Sequence, residues 1–186
     1  NGVDPQDLIE KYGADTARFF IIFTSPPTQS LEWSDEGVEG SFRFLKRVWA
    51  YCARPGKTGA KPTPEVLKAA RFEIHSVLKQ ANYDLGKHQF NTVASAAMKI
   101  LNALERLQDT SAAEAKEGIS ILLRLLSPIT PHLSHALWKE LGFGDHILGA
   151  PWPEPDPKAL EQDEIDYVVQ VGGKTRGSLR APKSAD

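Results

Sequence analysis

The sequence predicts an all-α fold, an up-and-down helical bundle with a short β-hairpin at its C-terminal end. Three observations carry that expectation. Segments with helical periodicity alternate with short loops rich in glycine and proline. The segment boundaries coincide with residues that start and stop helices. Near residue 165 the pattern changes to alternating, β-branched sequence around Gly172-Gly173, the mark of a hairpin.

The elements follow in order. In "DPQDLIEKYG", Asp4 is placed to cap a helix, Pro5 occupies its first position and Gly13 stops it. "ADTARFFIIFTSPP" gives a second short helix ended by Pro26 and Pro27, and residues 28–33 read as a loop. Ser34 caps a longer helix, "SDEGVEGSFRFLKRVWAYCAR", acidic in its first turn and basic at its end, as the helix dipole favours. "PGKTGAKPTP" is a loop. Long helices are expected from about Glu65 to Leu85 and from about Asn91 to Leu107. "ISILLRLL" and "SPITPHLSHALWKELG" then read as helix, proline break, helix and glycine stop. Five to seven helices with short connections make an up-and-down bundle. "FGDHILGAPWPEPDPKALEQDE" has the proline and acid content of a linker. A lone hairpin over "IDYVVQVGGKTRGSLRAP" is marginal by itself, which points to an incomplete second, β-containing domain.

Composition narrows the class. With 186 residues and 41% hydrophobic side chains, the chain can bury one sizeable core. Its one cysteine, Cys52, cannot form an internal disulfide, which fits a reducing, cytoplasmic setting. No apolar run approaches the ~20 residues of a membrane span, so no membrane partner is expected.

The net charge of −2 excludes a uniformly basic nucleic-acid binder but conceals its own distribution. Between Glu39 and Glu65 there is no acid, while Arg43, Lys46, Arg47, Arg54, Lys57 and Lys61 fall there. Between Asp84 and Glu105 the only charged side chains are Lys87 and Lys99, with His88 beside the first. Lys174, Arg176, Arg180 and Lys183 form a third block. On the helix after Ser34, Val38, Phe42, Leu45, Trp49 and Cys52 recur at spacings of three and four and predict a buried stripe. At about 100° per residue, Arg43, Lys46, Arg47 and Arg54 then form a cationic ridge opposite it. Such a ridge is either a solvated surface or a set of phosphate contacts, which require positive charge without base-reading geometry.

No self-contained catalytic site is expected. His132 and His135 lack the spacing of the helical zinc motif and have no cysteine pair or acidic cluster, so no metal site is expected. His132 instead suits a helix start, its ring bonding a free backbone group. "PGKTG" lies among prolines without the strand and helix of a P-loop, and no nucleophile elbow is present.

Several stretches resemble class I aminoacyl-tRNA synthetases, and leucyl-tRNA synthetases of bacterial type in particular. "DPQDLIEKYGADTARFF" is similar to the segment after the KMSKS loop in leucyl, isoleucyl, valyl and methionyl enzymes. The order "LEWSD–GVEG–RFL–RVW" resembles the leucyl family, whereas valyl and isoleucyl relatives usually carry an "NKLWN"-type helix. "FNTVASAAMKILNAL", "LSPITPHLSHALWKELG", "APWPEPD" and "VVQVGGKTRG" resemble later parts of the same enzymes. Relatives usually read V-N-G-K where this chain has Val171-Gly172-Gly173-Lys174, and often carry an acid near Ser134 or His135.

The resemblance implies an anticodon-binding bundle of the class I synthetase type. It implies a helical junction over 1–33, the bundle over 34–150, a linker over 151–164 and the start of a β-containing domain over 165–186. With no initiator Met, the catalytic domain with its HIGH and KMSKS signatures and the editing domain are expected before Asn1. The chain alone then lacks catalytic residues and a cofactor, while its parent uses ATP and Mg2+ to join leucine to its tRNA. The implied partners are leucine tRNA and the other domains of the parent chain, with no DNA. The tRNA contacts are expected from Arg43, Lys46, Arg47, Arg54, Lys87, His88, Lys174 and Arg176. Asp4, Asp15 and Arg18 are expected to fix the junction behind the signature loop. Trp33 and Trp152 suit buried anchors more than base-stacking platforms. The readings to be separated from this one are the same bundle from a valyl- or isoleucyl-type enzyme, and a helical interaction module without an RNA role.

Overall fold

A computed structural model describes residues 4–26, 28–53, 61–161, 164–171 and 174–182, the last two segments by backbone only. Seven α-helices lie among the described residues: α1 (Pro5–Tyr12), α2 (Ala14–Thr24), α3 (Asp35–Cys52), α4 (Pro64–Gly86), α5 (Phe90–Glu105), α6 (Ala113–Leu126) and α7 (Pro131–Glu140). Short 3-10 turns follow at Ile147–Gly149 and Pro157–Leu160. Beyond them, β1 (Glu164–Val171) runs antiparallel to β2 (Lys174–Pro182), with a register shift between Val169 and Gln170. The Gly172-Gly173 turn lies outside the described residues.

Local chemistry sets the helix ends. Asp4 Oδ1 accepts the Gln6 N–H at 2.8 Å, with Pro5 at the first helical position of α1. Gly13 joins α1 to α2 at φ +86°, where a Cβ would be strained, and its N–H returns to Ile9 O. Ser34 Oγ accepts the Gly37 N–H and caps α3. Thr63 caps α4 in the same way, with Pro64 next. Pro131 opens α7 after the break at Pro128. Within its described range the last turn of α3 carries no cation, and Arg54, on which the expected basic end rests, lies outside the described residues.

The main core gathers Phe19 from α2, Phe44, Val48 and Tyr51 from α3, Ile74 and Leu78 from α4, Ile100 and Leu104 from α5, and Leu122 and Leu123 from α6. Trp138 and Ile147 close it at the far end. A smaller cluster of Leu8, Ala17, Phe20 and Val38 fastens the α1–α2 pair to the start of α3. Hydrophobic burial of this kind, not helix propensity, supplies most of the stability of such helices.

Helix α3 is rotated from its expected orientation. Val38, Leu45 and Cys52 are buried, but Phe42 is half-buried and Trp49 is 43% exposed. Ser41, Phe44, Val48 and Tyr51 fill the inner face instead. Both sets satisfy helical spacing, and the neighbouring helices α2 and α5 select the second, where small Ser41 turns its hydroxyl back to Gly37 O.

Candidate nucleic-acid interface

Two cations stand clear of the protein on the outer face of α3. The Arg43 side chain is 69% exposed, and the Glu39 carboxylate one turn earlier is 3.9 Å away. An exposed pair at that distance contributes little. Lys46 Nζ lies 5.3 Å from the centre of the Phe42 ring, a weak cation–π contact that leaves the ammonium wet. Arg47 departs from the expected ridge. It reaches across to α5, donating to Asn102 Oδ1 at 2.7 Å and to both Glu105 oxygens at 3.2 and 2.6 Å. The bond to Glu105 raises its pKa and fixes it as a strut between helices.

The turn from α4 to α5 brings the next pair together. Lys87 caps α4 and sets its Nζ 4.4 Å from the centre of the exposed Tyr83 ring. His88 follows at φ +59°, bonds Leu85 O through its N–H and meets the Phe90 ring edge to face. On β2, Lys174 pairs with Val171, and Arg176 falls at the register shift. Their side chains, like Arg54, lie outside the described residues.

The three junction residues act at different ranges. Asp4 makes the local cap of α1. Asp15, at the start of α2, accepts the Leu133 N–H at 2.6 Å and the His132 N–H at 3.4 Å, so its carboxylate serves the open N-terminus of α7. Arg18, one turn on, donates from Nε to Ile129 O at 2.9 Å and from Nη2 to Pro128 O at 3.1 Å. One face of α2 therefore satisfies both carbonyls of the α6–α7 turn and amides at the start of α7. Arg18→Met is expected to lower unfolding stability by about 1–2 kcal/mol. Urea unfolding checks this, and an unchanged midpoint would contradict the role of the two carbonyl bonds.

A polar seam on α4 escaped the sequence reading. The Arg71 guanidinium donates to Glu117 on α6 at 2.6 and 3.0 Å and to Asp156 Oδ2 at 2.6 Å. His75, only 2% exposed, accepts the Asp156 N–H on Nδ1 at 3.0 Å, which puts its proton on Nε2. That Nε2 lies 3.2 Å from Glu117 Oε1 without the angle of a hydrogen bond. Asn82 donates to Pro153 O and accepts from Trp152 Nε1. Arg124 on α6 adds a bond to Pro151 O. Residues 151–160 are thus strapped along α4 and α6, although their composition reads as a linker. The spacing of 71, 75 and 82 on one helix face is the signal available in sequence, but the partners sit 70 to 85 residues away. Burial pushes the Glu117 carboxyl up, but the Arg71 bond and the nearby His75 outweigh it and lower its pKa. The Arg71 bond, with the Lys158 N–H, lowers that of Asp156.

The remaining candidates are structural. Burial pushes the Cys52 thiol up to about 12, leaving it a core residue and not a nucleophile. Trp152 packs against the core, while Trp33 is 39% exposed, meets Phe20 edge to face and donates to Asp35 Oδ1. It is the backbone N–H of His132, not its expected ring, that bonds Asp15, and His135 stacks on His146 at 5.7 Å. Among the described residues no group of three or more His, Cys, Asp or Glu could hold a metal ion. No described helix is long and apolar enough to cross a membrane.

The helical bundle among the described residues, built on a main apolar core with smaller clusters beside it, agrees with the family match. The chain belongs to the family described as the anticodon-binding domain of tRNA ligase, which matches residues 68–186. More particularly, it is 60% identical over its whole length to a leucine–tRNA ligase of Aromatoleum aromaticum, and 58% to one of an Azoarcus strain. A leucine–tRNA ligase of Coxiella burnetii is 52% identical. The chain spans only 23%, 23% and 24% of these relatives, so it corresponds to about a quarter of their length. A crystal structure of the ternary complex of Agrobacterium radiobacter K84 agnB2 LeuRS-tRNA-LeuAMS superposes with a TM-score of 0.83. It covers 99% of this chain and 25% of that one at 21% identity, a likeness of fold.

Proposed function

We propose that the chain is the tRNA-binding helical bundle of a leucine–tRNA ligase. The observation that carries this is identity of 60% over the whole chain with a leucine–tRNA ligase. The parent would join leucine to its tRNA through a leucyl-adenylate, using ATP and Mg2+ bound in a catalytic domain preceding this region, in the cytoplasm. The bundle's own work is positional: it grips the tRNA body so that the acceptor end reaches the catalytic and editing domains of the same parent chain. Correct placement of a reacting group contributes to rate without contact with the reacting atoms.

In this reading residues 1–33 join the bundle to the catalytic domain. The bundle covers 34–150, the strap 151–164 leads out of it, and the hairpin within 165–186 opens a further β-containing domain. Arg43 and Lys46 contact phosphates, with Lys87 and His88 at the other turn, while Arg54, Lys174 and Arg176 extend the same surface. Arg47 supports them from behind by holding α3 against α5. Backbone contacts of this kind position the RNA without specifying its sequence.

The test is a titration of the chain with transcribed leucine tRNA at two salt concentrations. Losing two phosphate contacts in the Arg43→Ala/Lys46→Ala variant is expected to weaken binding and reduce the salt slope by about 1.5. Absence of binding by the unaltered chain, or an unchanged slope in the variant, favours a helical interaction module without an RNA role.

A further inference from the structure

The last turn of α1 touches α3 at the two residues that stand beside its exposed cations. Tyr12 is half-buried, and its ring meets that of Phe42 edge to face at 5.5 Å. Phe42 is the ring against which Lys46 sets its ammonium. The Lys11 ammonium lies 4.8 Å from the centre of the Tyr12 ring. Thr16 Oγ1 donates to Tyr12 O at 2.8 Å and fixes the backbone where α1 ends. The phenol is therefore a donor held in place, packed on one helix and aimed at another.

Its hydroxyl donates to Glu39 Oε1 at 3.4 Å. Glu39 precedes Arg43 by four residues on α3, the order and spacing at which a carboxylate and a cation close most readily. A closed pair stands at about 2.7–2.9 Å. Here the other Glu39 oxygen remains 3.9 Å from Arg43 Nη1, and the Arg43 side chain is 69% exposed. The charge of Lys11, favoured first by Tyr12, is favoured also by Glu39 and Asp35, so a second group on α1 draws on the same carboxylate.

We propose that Tyr12 is a positioning residue for the phosphate contacts of α3. By engaging Glu39 it keeps that carboxylate from closing on Arg43 and leaves the guanidinium open to an RNA phosphate. Released, Glu39 is a resident competitor for the phosphate, one turn away on the same helix. Tyr12 ends the helix read as the junction, so the seating of α1 and the availability of Arg43 are linked, and such a link is reciprocal. The proposal rests on the tRNA-binding reading above and adds to it a residue that acts through Glu39 without touching RNA.

A double-mutant cycle tests it, read by fluorescence anisotropy of the full chain with labelled, transcribed leucine tRNA at low salt, where screening is weak. Tyr12→Phe keeps the ring and removes the hydroxyl, and is expected to weaken binding about twofold, the scale of one exposed ion pair. Glu39→Gln is expected to tighten binding by about the same factor, because the competing charge is gone. Adding Tyr12→Phe to Glu39→Gln should then change nothing. A role in packing alone predicts the same weakening in both backgrounds, and that result overturns the proposal. So does a Tyr12→Phe chain that binds as the unaltered one does. In nitrogen-15 NMR of the free chain, Tyr12→Phe should move the Arg43 Nε–H resonance, and no longer do so once Glu39→Gln is present; an unmoved resonance contradicts the link. If Arg43→Ala/Lys46→Ala loses affinity while Tyr12→Phe retains it, only the role of Tyr12 fails. If the unaltered chain has no affinity for tRNA, the tRNA-binding reading fails and this proposal with it.

Discussion

Arg71→Met is expected to destabilise the chain by about 2–3 kcal/mol at neutral pH, because several charge-assisted hydrogen bonds go at once. The guanidinium is three-quarters covered and bonded to Glu117 on α6 and to Asp156 on the strap. Without it those two carboxylates are left on the same seam, beside the buried His75 ring, with no guanidinium to offset their repulsion. Arg71→Lys should recover only part of the loss, since one ammonium cannot serve two carboxylates with a planar fork. The pH dependence gives the sharper check. Both carboxyls have folded-state pKa values below their ordinary 4.5 and 3.8. A depressed acid contributes stability that is complete above its unfolded value and is lost as pH falls through the folded one. The unaltered chain should therefore hold its stability down to about pH 4.5 and lose it below. The gap between it and Arg71→Met should be widest at neutral pH and close as both carboxyls protonate. Urea unfolding across pH 3–7 measures this; a gap independent of pH would mean that Arg71 acts through packing alone.

That network also marks what the sequence did and did not disclose. Short-range signals were legible: Asp4, Gly13, Ser34 and Pro131 end helices where their backbone chemistry requires. Selection among equivalent long-range arrangements was not. On α3 the stripes containing Phe42 and Trp49 or Phe44 and Val48 are equally helical, and only the shapes of α2 and α5 decide which turns inward. The same rotation leaves Arg43 and Lys46 exposed and carries Arg47 into reach of Glu105. Charge pattern alone does not tell a phosphate ligand from a strut. The segment at 151–160 misleads for a related reason. Proline-rich chain lacks donors for a helix or sheet, yet its carbonyls can accept from side chains elsewhere, and here Asn82 and Arg124 donate to them. Composition records the missing donors but not the remote ones.

Gly118→Leu is expected to prevent α6 from seating and to cost more than 3 kcal/mol, enough to leave much of the chain partly unfolded. Gly118 lies on the inner side of α6 at a point where a Cβ would meet Leu104 Cδ2 at 2.7 Å and Ile74 Cδ1 at 2.9 Å. Both neighbours are essentially fully buried, Ile74 on α4 and Leu104 on α5, so three helices converge on a single missing side chain. Gly118→Ala separates the effects. Alanine in a helix interior gains about 1 kcal/mol over glycine, whereas overpacking a full core costs about 1–3 kcal/mol. The tips of Leu104 and Ile74 can yield by rotamer change, so the alanine variant should fold and lie within about 2 kcal/mol of the original. Leucine adds three further carbons beside the Leu104 and Ile74 tips that already crowd the Cβ position. The paired measurement is thermal unfolding followed by near-UV circular dichroism, which reports tertiary packing of the aromatic core. A leucine variant with an intact near-UV signal and an unfolding midpoint close to that of alanine would mean α6 can stand further from α4 and α5. The close approach at Gly118 would then not be what fixes α4, and with it Arg71, His75 and Tyr83, in place.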